Sequence, residues 1–324
     1  LQNGIKFKKI YSGKIRRYFS LLNIIDAVKL VPGILKSVLE MYFDFPDVVF
    51  SKGGSESFPP VLAARILGIP IIIHESDAAP GKANVWAGKF AKRIAVSFPG
   101  SAEYFSKGKV AVVGNPIRKE FFIREVLGAK EYFKLESGVP VVFVFGGSQG
   151  SKNINDNLLD ILPELLPDYQ IIHQCGKNNY DECQGRADLI LEISPVKSRY
   201  RLFSSLKFDE MRMAYGAADL VVSRAGSGSI FEIAASGLPS IIIPLTGSAQ
   251  EHQRENAYAY AKSGAAVVIE ERNLKPHILK SEISRLIANK EEMKNLAEAA
   301  KQFAKPDAAE KIAREIIRLA IEHK

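Results

Sequence analysis

The sequence predicts an α/β protein of two doubly wound, parallel-sheet domains, and three observations carry that prediction. Apolar runs of strand length alternate with helical patterns along most of the chain, as in a parallel sheet with crossover helices. The alternation breaks near Asn115-Pro116 and then restarts with a second glycine-rich turn. The 324 residues also suit two domains of about 100–200 residues each.

In the first half, 46–50 reads as a strand running into Gly53-Gly54, followed by a helix over 60–67. A buried strand at 69–73, a helix at 82–91 and short strands at 93–97 and 109–113 complete that domain. After a helical stretch over 120–133, strands are predicted at 141–145, 170–174, 189–193, 220–222, 240–244 and 266–269, with helices between them. From 274 onward the chain is helical, with Ala- and Glu-rich periodicity punctuated by Pro306. The predicted domains are 1–117 and 118–310, with a last helix over about 311–324 packing back on the first.

Composition narrows the function classes. Apolar residues make up 47% and charged residues 25%, which excludes a disordered chain. No stretch approaches the roughly 18 uninterrupted apolar residues of a membrane span. Cys175 and Cys183 are the only cysteines, too few for a disulfide framework and without zinc spacing, so a reducing compartment is expected. Residues 1–120 carry 18 Lys/Arg against 9 Asp/Glu, so the net charge of +8 originates in the first third. Such asymmetry points to an anionic partner: nucleic acid, anionic lipid or a phosphorylated substrate. Nucleic acid is the weakest of these, because no basic stripe interleaved with stacking aromatics is present.

Four constellations carry chemistry. Gly146-Gly147-Ser148-Gln149-Gly150-Ser151 follows a predicted strand and precedes a helix beginning near Asn153. Glycines there let the backbone approach a ligand, and helix N-terminal amides favour phosphate. The spacing matches neither the P-loop nor the dinucleotide fingerprint, and a tight structural turn is the competing reading. Ser223-Arg224-Ala225-Gly226-Ser227-Gly228-Ser229 opens another helix, where hydroxyls and amides suit a diphosphate. Glu232 in that helix suits the two hydroxyls of a ribose, although Ser227 or Ser229 as a cap and Glu232 as a first-turn charge explain the residues equally well. The run 250–256, containing His252 and Gln253, follows the strand ending at Pro244. Ligands bind at such strand ends, and amide side chains suit sugar hydroxyls; a solvated helix start is the alternative. His74-Glu75-Ser76-Asp77, also at a strand's carboxyl end, makes an acid/base group. His173, inside a strand, reads as a satisfied core histidine.

Taken in order, these motifs resemble the MurG family of glycosyltransferases. The resemblance rests on the 53–54 glycines, Gly68-Ile69-Pro70 with His74-Glu75, Gly114-Asn115-Pro116-Ile117-Arg118, the 146–150 loop, and Glu232 to Pro239. It implies the two-domain glycosyltransferase-B fold, with Rossmann-like halves facing a cleft. It implies an inverting transfer of N-acetylglucosamine from UDP to the 4-hydroxyl of N-acetylmuramoyl-pentapeptide on undecaprenyl diphosphate, in peptidoglycan synthesis. Carried over position by position, Phe208 falls where the family's backbone holds uracil and Glu232 where it holds ribose. Arg118, Ser148, Ser227, Gly228 and Ser229 fall near the diphosphate and the moving sugar, and His252 and Gln253 at N-acetylglucosamine. Gly53, Gly54, Ser55 and Asp77 fall on the acceptor side. No resident cofactor or metal is implied, and stimulation by Mg2+ stays open.

Three departures bear on activity. The family opens with a strand and a Gly-Gly-Thr-Gly-Gly-His loop whose His is a favoured base. The present sequence is expected to start inside the first domain without that loop, so Glu75 and Asp77 are the candidate bases and weak transfer is expected. The usual tyrosine after the 53–54 glycines is Ser55, and Ser76-Asp77 replaces the usual Gln-Asn. A diacylglycerol galactosyltransferase, or a UDP-sugar-binding protein without activity, are the alternatives. A lipid-linked acceptor implies a peripheral protein on the cytoplasmic face of the plasma membrane. Lys14, Arg16, Arg17 and Lys29 accompany the apolar Phe19, Leu21, Leu22, Ile25 and Val28, and Pro32 is expected to start a second helix carrying Leu35. Lys82, Lys89, Lys92 and Arg93 flank Trp86, an aromatic suited to a headgroup region. An anionic membrane surface is therefore expected to bind residues 1–100.

Overall fold

The computed structural model describes residues 6–10, 22–124, 127–147, 149–247 and 251–323, the side chains of 22–29 and 251 excepted. The chain divides into two compact units, Leu1–Gly114 with Asp307–Lys324, and Asn115–Pro306.

The first unit begins with helix α1 (Leu22–Asp44) and continues through strand β1 (Val49–Ser51), α2 (Phe58–Ile66), β2 (Ile71–Glu75), α3 (Lys82–Gly88), β3 (Arg93–Val96) and β4 (Val110–Val112). The four strands form a parallel sheet in the order β1-β2-β3-β4. One face is covered by an apolar cluster that includes Val61, Ile71, Ile73, Ala87 and Ile94. Pro32 lies inside α1 and starts no second helix. A proline removes one intrahelical bond, but α1 packs along α2, and the buried Ser37 hydroxyl donates to the Gly33 carbonyl at 2.7 Å.

The second unit contains α4 (Ala129–Tyr132), β5 (Val141–Phe145), α5 (Lys152–Leu165), β6 (Gln170–Gln174), α6 (Tyr180–Ile190) and β7 (Tyr200–Phe203). It continues with α7 (Phe208–Ala217), β8 (Leu220–Ser223), α8 (Ser227–Ala235), β9 (Ser240–Ile242), α9 (Glu251–Lys262) and β10 (Ala266–Val268). Helices α10 (Pro276–Ala288) and α11 (Lys290–Phe303) complete it, and α12 (Ala308–His323) returns to the first unit. There Ile312 packs with Ala95 and Val113 on the sheet face opposite α2 and α3.

The second sheet has the order β10-β9-β8-β5-β6-β7, and each neighbouring pair is parallel. Its core joins Val142, Val144 and Ile171 of the strands to Ile154, Leu158 and Leu162 of α5. Because β5 has β6 on one side and β8 on the other, the winding reverses there. Open α/β sheets leave a crevice at such a reversal, outside the carboxyl ends of the strands.

Two predicted elements are corrected. Residues 189–193 form the end of α6 and a turn rather than a strand. Cys183, Ala187 and Leu191 are buried at four-residue spacing, a helical repeat, while Leu189 and Ile193 point outward. The edge strand β7, half-buried along its length, takes the sheet position assigned to that run. The helix over 120–133 is reduced to a 3-10 turn at Lys119–Phe122 and the short α4. Gly128, left-handed at φ 76°, interrupts it.

His173 is fully buried in β6. Its Nδ1 lies 2.7 Å from the Tyr200 hydroxyl and its Nε2 3.0 Å from Asn155 Oδ1. Burial pushes its pKa down to about 3, so it is a neutral strut between β6, β7 and α5. Asn155 also donates to the Cys175 carbonyl at 3.0 Å. Replacing Asn155 with Leu strands His173 Nε2, whereas the Cys175 carbonyl keeps Asn179 Nδ2 at 2.9 Å, and a buried unsatisfied group costs about 1–3 kcal/mol. Urea unfolding of Asn155→Leu is expected to show that loss, and an unchanged midpoint would refute the strut.

Candidate active site

The carboxyl ends of β5 and β8 bound a cavity of about 810 Å³ in the second unit. Its floor is the glycine loop after β5, and two of its glycines are dictated by space. A Cβ on Gly146 would lie 2.3 Å from the Ser151 nitrogen, and one on Gly150 would lie 2.0 Å from the Cys175 carbonyl oxygen. Gly150 is also left-handed, at φ 78°. Ser151 then caps α5, its hydroxyl accepting from the Ile154 amide at 3.4 Å. Ser148 lies outside the described residues.

On the other side of the reversal, α8 opens from Gly226, and Gly226, Gly228 and Ser229 line the cavity. No side chain caps this helix, so its first amides are directed at the cavity mouth, an arrangement suited to anionic oxygens. The three hydroxyls expected to converge do not do so. Ser223 donates to the Arg224 carbonyl at 3.0 Å, and the buried Ser227 accepts from Asn115 Nδ2 at 3.2 Å. Ser229 is the hydroxyl that reaches the cavity wall.

Glu232 lines the same cavity and accepts from the buried Tyr215 hydroxyl at 3.3 Å. Burial raises its pKa above the ordinary glutamate value, against the Tyr215 hydrogen bond and the attraction of Arg118. The Arg118 guanidinium stacks 4.4 Å from the centre of the Phe208 ring, and Phe121 meets that ring edge-on at 5.2 Å. Arg118, Phe208 and Glu232 thus share one end of the site. At another wall, Gln253 accepts from the Leu245 amide at 3.2 Å and faces the cavity. His252 is half-buried beside it in the first turn of α9.

Three lining residues carried no assigned role in the sequence reading. Gln174, 5% exposed, donates to the Gly147 carbonyl at 3.3 Å and accepts from the Leu206 amide at 2.9 Å. It ties the glycine loop to the approach to α7. Arg224 and Glu271 form a buried ion pair on the cavity wall. The usable signal was positional for Gln174 and Arg224, both at a strand's carboxyl end, whereas nothing local marks Glu271.

The first unit holds a second polar cluster, at the ends of β1 and β2. Glu75 is 3% exposed. One of its oxygens accepts from the Asp77 amide at 3.0 Å, and the other from the Gly81 amide and Asn84 Nδ2, both at 2.9 Å. Burial raises its pKa, against those three hydrogen bonds. The Asp77 side chain is half-buried. Gly53, at φ 81°, lies so close to Asn84 that a Cβ would come within 2.6 Å of Nδ2, so Asn84 joins the two loops. Gly54 is also left-handed, and the Ser55 hydroxyl donates to Glu56 at 3.0 Å. His74 contacts the Gly114 carbonyl at 3.1 Å and the Ser97 hydroxyl at 3.2 Å, and burial pushes its pKa down to about 4. Among the described residues, no group of three or more His, Cys, Asp or Glu side chains could hold a metal ion.

Residues 141–312 match the glycosyltransferase family 28 C-terminal domain, and residues 1–96 match the N-terminal domain of that family. The chain belongs to glycosyltransferase family 28. Within the family it is similar to the Clostridium novyi UDP-N-acetylglucosamine--N-acetylmuramyl-(pentapeptide) pyrophosphoryl-undecaprenol N-acetylglucosamine transferase. Identity is 37% over 296 residues, spanning 90% of this chain and 80% of the relative. The Treponema denticola transferase of the same name is 36% identical over 310 residues, spanning 93% of this chain and 79% of the relative. The crystal structure of Acinetobacter baumannii MurG superposes with a TM-score of 0.74 at 25% identity, covering 95% of this chain and 85% of that one. The family 28 C-terminal match contains the whole glycine loop, the α8 loop, Gln253 and Glu271.

Gly150→Ala tests the glycine loop. The left-handed backbone alone costs about 1–3 kcal/mol for a non-glycine residue, and the collision with Cys175 adds to it. Calorimetry with UDP is expected to show weakened binding alongside a lower unfolding midpoint. Wild-type values for both would show that the loop has room to spare.

Proposed function

We propose that this chain is the hexosyltransferase that moves N-acetylglucosamine from UDP-N-acetylglucosamine to undecaprenyl-diphosphate-linked N-acetylmuramoyl-pentapeptide, a step of peptidoglycan synthesis. The observation that carries the proposal is the cavity at the β5/β8 reversal, whose wall combines a glycine loop, uncapped α8 amides, Glu232 and Gln253 in a chain whose relatives bear that transferase name.

In this reading Glu232 accepts from the ribose hydroxyls, and the Phe208 segment borders the uracil. The amides near Gly228, the Ser229 hydroxyl, Arg118 and the loop around Ser148 take the diphosphate, while His252 and Gln253 hold the sugar. Ser227, buried under Asn115, sets the start of α8. In transfer, the acceptor 4-hydroxyl gives its proton to a base as its oxygen attacks the anomeric carbon. The bond from that carbon to UDP breaks with inversion, and the negative charge gathering on UDP meets the α8 amides. Asp77 is the accessible carboxylate on the acceptor side, with Gly53, Gly54 and Ser55. Glu75, with both oxygens committed to its own loop, positions Asp77.

The lipid-linked acceptor requires an approach to the membrane surface on its cytoplasmic face. Val31, Leu35 and Leu39 recur every fourth residue of α1 and are 57–60% exposed, and Tyr42, Phe43 and Phe45 continue the apolar strip. No helix among the described residues is long and apolar enough to cross a membrane, so the strip is read as a face that lies on the surface. Arg93 pairs with Glu315 at 2.6 Å, whereas Lys82, Lys89 and Lys92 are exposed. Trp86 is corrected as an anchor: its ring is half-buried between Phe58 and Phe90, at 4.6 and 4.8 Å. Lys14, Arg16, Arg17, Phe19 and Leu21 lie outside the described residues, as do the side chains of Leu22, Ile25, Val28 and Lys29.

Two measurements test this reading. With UDP-N-acetylglucosamine and lipid-linked acceptor, Glu232→Gln is expected to lower UDP affinity about tenfold or more, the equivalent of about 1.5–3 kcal/mol for a charge-assisted hydrogen bond. The ribose hydroxyls need an ionised acceptor and burial raises the Glu232 pKa. Wild-type affinity should therefore be full at neutral pH and fall on acidification, with a midpoint above 4.5. A profile that Glu232→Gln does not flatten would remove the ribose assignment. Separately, Leu35→Asp with Leu39→Asp should reduce cosedimentation with anionic vesicles, while high salt removes only part of the wild-type binding. Unchanged partition of the double variant would exclude the α1 strip.

A further inference from the structure

Arg224 and Glu271 are the most deeply buried charged pair on the wall of the donor cavity, with side chains 8% and 12% exposed. Arg224 reaches Glu271 with Nη2, which also donates to the Ser151 hydroxyl at 2.7 Å, and Nη1 donates to the Ile243 carbonyl at 3.3 Å. The second Glu271 oxygen accepts from the Thr246 amide and the Thr246 hydroxyl, both at 2.9 Å. The first also accepts from Asn153 Nδ2 at 3.3 Å. Five donors and acceptors thus converge on two side chains, and they come from the loops after β5 and β9 and the first turn of α5.

Apart from the Arg224–Ile243 contact, which spans the neighbouring ends of β8 and β9, the network joins loops and the start of α5 at the carboxyl edge of the sheet rather than residues inside it. A pair serving the fold alone would be expected there, and a buried ion pair commonly adds little net stability. Through Thr246 the network also holds the 245–247 segment, in which the adjacent Leu245 amide is bonded to Gln253 Oε1. Glu232, Phe208 and Arg118, at the nucleotide end, make none of its hydrogen bonds. A carboxylate can accept from all of these donors at once, whereas a carboxamide must turn an NH2 group toward one of them.

We propose that the Arg224–Glu271 pair is a positioning device for the sugar end of the donor site. It clamps the 245–247 loop to the glycine loop so that Gln253 is presented to the N-acetylhexosamine. The inference rests on the donor-site reading above and assigns to these two residues the discrimination between nucleotide and nucleotide-sugar.

The test is calorimetry and steady-state kinetics on the full chain with UDP and UDP-N-acetylglucosamine. Glu271→Gln should bind UDP within about twofold of wild type, while its affinity for UDP-N-acetylglucosamine falls roughly tenfold relative to UDP, as expected for one charge-assisted hydrogen bond. KM for the nucleotide-sugar should rise correspondingly more than kcat falls. Thr246→Val, on an exposed loop, removes one of the donors and should shift the same ratio in the same direction by less. Equal weakening of both ligands in Glu271→Gln would make the pair a structural staple and overturn the proposal. An unchanged ratio in either variant would overturn it as well. If Glu271→Gln does not fold, the Thr246→Val ratio decides alone. Failure of the wild-type chain to bind either ligand would instead sink the donor-site reading, and this inference with it.

Discussion

The reversal of winding at β5 is the constraint on which the rest of the second unit depends. Every neighbouring strand pair in its sheet is parallel, so the carboxyl ends gather along one edge and each following helix starts there. β5 and β8 are neighbours in space but far apart in sequence, and their two loops leave in opposite directions, which opens the crevice. The glycines at 146 and 150 follow from that geometry, because the loop after β5 must double back under Cys175 before α5 begins. Helix α8, starting at the same edge, brings its first amides to the crevice without a side-chain cap. The suitability of this edge for an anion thus follows from topology before it follows from any one residue.

What the side chains add is a sorting of charge by depth. His74 and His173 are buried and driven neutral, toward pKa values of about 4 and 3, and act as hydrogen-bonding struts. Glu232, at the cavity, is raised by burial and held in check by Tyr215 and Arg118, which leaves a carboxylate with unused acceptor capacity facing the cavity. Glu271 goes the other way. Burial opposes its ionisation, but the hydrogen bonds from Thr246 and Arg224 outweigh it and keep its pKa below the ordinary value. A carboxylate that spends its lone pairs on its own protein is a strut, and one that keeps them has acceptors to offer a ligand.

The sequence was legible wherever periodicity and punctuation agreed. Strand β5 lies where its apolar run placed it, because a strand buried on both faces leaves a continuous apolar run. Legibility failed where an element's apolar residues were few or shared with a different period. Tyr200–Phe203 is an edge strand with a charged residue inside it, so its run was too weak to register. Residues 189–193 are apolar enough to imitate a strand although their buried partners repeat every four residues. In the site, residues inside glycine-rich motifs were easy to single out. The Arg224–Glu271 contact was not, because it spans 47 positions and Glu271 sits in a 3-10 turn with no signature of its own.

The same distinction bears on the two carboxylates at the carboxyl end of β2, Glu75 as its last residue and Asp77 just beyond it. Glu75 satisfies three donors within its own loop and is almost completely covered. To act as a base it would have to abandon hydrogen bonds that fold residues 77–84 around it, and its loss would leave the Asp77 and Gly81 amides and Asn84 short of a partner. Asn84 in turn lies against Gly53, so the loop after β1 depends on Glu75 as well. Asp77 differs in exposure: Glu75 holds its amide, while its side chain is half-buried rather than covered. The buried carboxylate therefore fixes the backbone on which the more accessible one stands.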